Sequence, residues 1–135
     1  MSVERRTAVI TGIGPITAAG IGIEGLAAGL RKKLSPVGLV ASFDSAPFRS
    51  HMAAEVSVFD PADFIERKKA SRLDRFVQFS LSSTKLAIED AKLDPNSLDP
   101  ARTGVQMGSA MGGIAHAEVQ LRKFLEGTGR GIDPR

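Results

Sequence analysis

The 135-residue chain contains no cysteine, tryptophan or tyrosine and only two histidines. Without cysteine it can form no disulfide framework, no thiolate-ligated zinc site and no thiolate nucleophile, and a reducing compartment suits it. Without tryptophan or tyrosine it lacks the best stacking platforms for bases, and several of its seven phenylalanines fall at apolar-periodic positions that suit core packing. A net charge of +3 is mildly basic and falls short of the dense Lys/Arg stripe of a nucleic-acid binder. No stretch approaches the ~18 consecutive apolar residues of a membrane span. The short apolar run after Arg5 and Arg6 breaks at Gly12, too early for a signal-peptide core. These absences point to a cytoplasmic protein with neither a nucleic-acid nor a membrane partner. An apolar fraction of 42% and a charged fraction of 24% are those of one folded domain.

The pattern predicts an α/β arrangement. Thr7 to Thr11 (TAVIT) is β-branched and bounded by glycine, as in a buried strand. From Ile23 to Lys33, apolar Ile23, Leu26, Ala27 and Leu30 recur at helical spacing and Lys32 and Lys33 complement the C-terminal dipole. His51 to Phe59 alternates loosely as an exposed strand would, and Asp60-Pro61-Ala62-Asp63 supplies a cap, a proline and an acid for a helix start. No glycine or proline interrupts Lys69 to Lys92, so one long helix is expected there, apolar most of the way round and therefore buried. Thr103 to Met107 (TGVQM) reads as a second strand, followed by the glycine-rich turn Gly108 to Gly113, a helix over 114–126 and Gly127 as its cap.

The stretch VITGIGPITAAG (9–20) invites a phosphate-binding reading, but Thr17 stands where a dinucleotide fingerprint needs its third glycine, and no Gly-Lys-Ser/Thr follows. His51 and His116 have no serine or acid at a spacing that builds a triad or a metal site, and His116 reads as a solvated helix residue. Glu89-Asp90 reads as helix-surface charge. No complete catalytic set and no metal site is present, so no catalytic residue is assigned. The segment Arg67 to Arg75 carries five cations in nine positions. It is either a solvated helix start with ion pairs from Arg72 or Arg75 to Asp74, or a docking surface for an acidic protein.

Taken in order, VITGIGPITAAG, Phe43-Asp44, Phe59-Asp60-Pro61, ERKKASRLDRF (66–76), GSAMGG (108–113) and GRGIDP (129–134) resemble the N-terminal segment of the elongating β-ketoacyl-acyl-carrier-protein synthases, type 2 above all. The resemblance covers the whole chain and implies a thiolase-like fold, with residues 1–135 as an incomplete N-terminal domain, part of the first α/β half of a homodimeric enzyme of fatty-acid biosynthesis. It implies no cofactor. It also implies a cysteine that takes the acyl chain from acyl carrier protein, and two histidines that serve decarboxylation of malonyl-carrier protein and the condensation oxyanion, all C-terminal to Arg135. The chain alone is thus expected to be inactive. Carrier-protein docking carries over to Lys68, Arg72 and Arg130, while Ser71 and Gly131 stand where the family commonly has basic residues. Met111 matches the bulky gate beside the acyl pocket, where a flexible apolar side chain can line a chain-length cavity; on its own it reads equally as a core residue. Thr17-Ala18 and Pro15 depart from the family's serine-proline at the first turn, and Ala27 replaces a common aromatic. Two other readings stay open: a non-catalytic remnant that dimerises or holds carrier protein, and a nucleotide-binding α/β domain.

Overall fold

A computed structural model describes residues 7–127 and 132. The order is β1 (Ile16–Thr17), β2 (Gly20–Ile21), α1 (Gly22–Arg31), β3 (Gly38–Leu39), β4 (Met52–Ala53), α2 (Arg67–Ala70), α3 (Arg75–Asp90) and α4 (Ile114–Leu125), with single 3-10 turns at Pro61–Asp63 and Pro95–Ser97. β1 and β2 form a minimal antiparallel hairpin that pairs Ile16 with Ile21 and Thr17 with Gly20. Thr17 locks it from both sides, since Oγ1 donates to the Gly20 carbonyl at 2.9 Å and accepts from the Gly20 amide at 3.2 Å. The threonine that departs from the family pattern thus closes the turn itself.

Neither expected strand forms a ladder among the described residues. Residues 7–11 and 103–107 lie outside any strand, with Val9 74% and Val105 83% exposed. A strand is a property of a pair, and a parallel central strand needs neighbours that the described residues do not supply. Of the loosely alternating stretch from His51 to Phe59, only Met52 and Ala53 pair, antiparallel to Gly38 and Leu39.

The uninterrupted helix expected from Lys69 to Lys92 is two helices. Asp74 breaks it: its Oδ1 accepts from the Arg75 amide and caps α3, while α2 ends at Ala70. Gln78 ties the two together, donating through Nε2 to the carbonyls of Ala70 at 2.9 Å and Leu73 at 3.1 Å. Nor is α3 buried all round, since Ser82 is its only buried residue among those described. Its small face has a different use. Gly12 and Gly14 run directly against the α3 backbone, where a Cβ on Gly14 would stand 2.0 Å from the Ser83 carbonyl oxygen and one on Gly12 would stand 2.3 Å from that of Ala87. Ser83 Oγ donates to the Gly14 carbonyl at 2.6 Å, and Asp90 Oδ2 accepts from the Ile13 amide at 2.9 Å. The opening loop is thereby sewn along the helix, and Asp90 is an anchor rather than plain surface charge.

The apolar centre lies at the other end of α3. Phe59, Ile65 and Ala70 are buried, with the Phe59 ring 4.9 Å from Phe79 and 5.9 Å from Phe64 between centroids. The Arg75 guanidinium lies over the rings of Phe79 and Phe59 at 4.8 and 5.5 Å and donates to the Val56 carbonyl at 2.6 Å. It makes no ion pair with Asp74. Phe59 is buried and Phe64 and Phe79 are half-buried against it, whereas Phe43, Phe48, Phe76 and Phe124 are exposed, so core packing takes only some of the phenylalanines that the spacing assigned to it.

Glu55 secures the loop beyond β3. Its carboxylate accepts from Ser42 Oγ at 2.5 Å, the Ala41 amide at 2.8 Å and the Ser42 amide at 3.2 Å. The Ser42 hydroxyl, then the Ala41 amide, hold its pKa below the usual glutamate range. A depressed carboxylate pKa contributes stability above the unfolded-state value and loses it as pH falls through the folded one. Amide exchange at Ala41 and Ser42 should therefore quicken as pH falls below the ordinary glutamate pKa, after correction for intrinsic exchange. Glu55→Gln should be fast at every pH, and a wild-type profile in that variant would contradict the assignment.

Candidate functional site

A groove of about 1140 Å³ lies between α2, the start of α3 and α4. Lys68, Lys69 and Arg72 supply its cationic side, while Phe76, Leu121 and Phe124 are among its apolar walls. Lys68 and Arg72 are exposed, and neither takes part in a salt bridge among the described residues. The ion pair expected between Arg72 and Asp74 is absent. Of the docking residues implied by the resemblance, the fold thus brings Lys68 and Arg72 to one groove, and Arg130 lies outside the described residues.

Met111 sits in the glycine-rich turn, 68% exposed, and does not line the groove. The turn is closed by Ser109, whose Oγ accepts from the Gly112 amide at 2.9 Å, and Gly112 adopts φ +55°, which a side chain would strain. Gly113 then leads into α4, which ends at Leu125 with Gly127 at φ +71°, as expected of a helix stop.

Two polar atoms face this region unpaired. Asp74 Oδ2 and His116 Nε2 are buried without a hydrogen-bond partner, and both residues line the groove. His116 is therefore not the solvated histidine that its helix position suggested. His51 holds a turn, its Nδ1 lying 3.0 Å from the Ser45 carbonyl oxygen. The signal for Asp74 was present as an Asp at a helix start, but the unbroken run around it masked the cap.

A second, smaller cavity of about 320 Å³ lies at the opening glycine turn, where Glu24, Glu89 and Asp90 are its charged lining residues. Three acids and no cation make the wrong field for a phosphate. The glycines that suggested a cradle are filled by helix backbone instead. No helix among the described residues is long and apolar enough to cross a membrane.

The chain has the α/β, thiolase-like fold of a ketosynthase N-terminal segment. The ishigamide ketosynthase/chain length factor superposes with a TM-score of 0.79 at 28% identity, over 93% of this chain and 32% of that one. The model of the β-ketoacyl synthase N-terminal domain matches residues 5–130, and the chain belongs to that family. It is 34% identical over 125 residues to 3-oxoacyl-acyl-carrier-protein synthase 2 of Synechocystis sp., covering 93% of this chain and 30% of that protein. To the synthase 2 of Coxiella burnetii it is 35% identical over 131 residues, covering 97% and 32%. The chain thus spans about a third of the length of the curated relatives it matches.

Proposed function

We propose that residues 1–135 form part of the N-terminal domain of a 3-oxoacyl-acyl-carrier-protein synthase, a cytoplasmic, homodimeric acyltransferase of fatty-acid biosynthesis. The observation that carries this reading is the family match over 5–130 combined with Lys68 and Arg72 on one groove, neither in a salt bridge among the described residues. In the reaction, a cysteine thiolate takes the acyl group from its carrier and releases the carrier thiol. The malonyl C–CO2 bond then breaks, its electron pair forms the new C–C bond at the acyl carbonyl, and the cysteine thiolate departs. No cysteine occurs in these 135 residues, and this reading takes the nucleophile and its two histidines from outside them.

Within this segment, Lys68 and Arg72, with Arg130, present cations to the acidic carrier protein, and Met111 is the apolar gate beside the acyl pocket. Cations on an exposed rim favour encounter and register more than final affinity. The full-length enzyme, given acyl-carrier and malonyl-carrier protein, should yield a 3-oxoacyl product two carbons longer. Acyl transfer to another acceptor with no elongated product would sink this reading.

A further inference from the structure

Asp74 serves two helices at once. One oxygen, Oδ1, caps α3 through the Arg75 amide, which fixes the carboxylate two residues after Arg72. The other, Oδ2, is buried, has no hydrogen-bond partner and stands 2.9 Å from where a Cβ on Gly113 would be. A buried, unpaired carboxylate oxygen is costly, and its placement at the start of the 12-residue α4 offsets that cost through the positive end of the helix dipole. Phe76 closes the same spot, its Cε1 3.5 Å from that Cβ position. Gly113 is the last residue of the turn that carries Met111, and the turn's other fastening is the bond from the Gly112 amide to Ser109. An unbroken series of contacts thus runs from the cationic segment through Asp74 to the Met111 turn.

We propose that Asp74 is a positioning residue that holds the Gly108–Gly113 turn, and with it Met111, in register with the cationic segment, so that it sets acyl chain-length selectivity without touching the acyl chain. This rests on the proposed function, specifically on Met111 as the gate. Gly113 is the other half of the device, because the carboxylate occupies the space of its missing side chain.

The test is a reciprocal exchange in the full-length enzyme. Asp74→Ser keeps a capping oxygen for α3 but removes Oδ2. Gly113→Ala drives a methyl group into that oxygen. Each single variant should shift the ratio of kcat/KM between a short and a long acyl-carrier substrate several-fold, while the KM for malonyl-carrier protein stays within about twofold, the scatter expected where no contact is lost. The double variant places the methyl where the oxygen was and should return the ratio toward wild type, a coupling of the two sites that a mere loss of stability would not produce. A wild-type ratio in Asp74→Ser, or simple addition of the two shifts in the double variant, would overturn the proposal. If Gly113→Ala does not fold, Asp74→Ser and recovery of folding in the double variant still decide it, and failure of both to show coupling overturns it. A wild-type enzyme that elongates nothing would instead remove the function on which the proposal rests.

Discussion

Lys68→Glu combined with Arg72→Glu in the full-length enzyme raises the apparent KM for acyl-carrier protein on the order of tenfold at low ionic strength, with kcat nearly unchanged. Both side chains are exposed on the same groove, so reversing them replaces attraction by repulsion during encounter without opening a hole in the core. The effect should shrink as salt rises, because the Debye length falls to about 8 Å near physiological ionic strength. Carrier selectivity by chain length should not move, which separates this pair from Asp74. An unchanged KM at low salt would return the cationic segment to an ordinary solvated surface.

The second large effect concerns stability. Gly14→Ala places a methyl group 2.0 Å from the Ser83 carbonyl oxygen and 2.7 Å from the Ala87 amide nitrogen, both backbone atoms of α3. Helix backbone cannot yield as a side-chain tip can, so the loop must lift away and lose the bond from Ser83 Oγ to the Gly14 carbonyl. A loss of about 3 kcal/mol or more is expected, at the upper end for overpacking, equivalent to a fall of roughly 10 °C in Tm for a domain this size. Gly104→Ala is the control, since nothing lies within 4 Å of its Cβ position. It should stay within about 0.5 kcal/mol of wild type. A Gly14→Ala protein as stable as Gly104→Ala would contradict the close packing of loop on helix.

The same glycines explain what could be read from the sequence and what could not. That 9–20 makes a poor phosphate cradle was legible because Thr17 stands where the fingerprint needs a glycine and no Gly-Lys-Ser/Thr follows. The true use of Gly12 and Gly14 was not, because close approach depends on Ala87 and Ala91 more than seventy residues away. α1, α4 and the Gly127 stop were legible from local periodicity and turn chemistry. The strands at 7–11 and 103–107 were read from composition alone, yet pairing decides a strand, and the described residues offer those segments no partner. Arg75 illustrates a further limit: its place among charges suggested an ion pair, whereas tertiary packing sends it over Phe79 and Phe59. Lys68 and Arg72 could be proposed because they lie in one short cationic run. Asp74 Oδ2 and His116 Nε2 could not, because their burial follows from how α3 meets α4.

The central proposal is that this chain supplies the docking and gating side of a condensing enzyme whose chemical groups lie outside these 135 residues. Its most direct test is carbon dioxide release from malonyl-carrier protein, measured side by side for the 135-residue chain and the full-length enzyme primed with an acyl group. The account predicts release by the full-length enzyme, matched one for one by elongated product, and none by the chain alone. Release by the chain alone would contradict it.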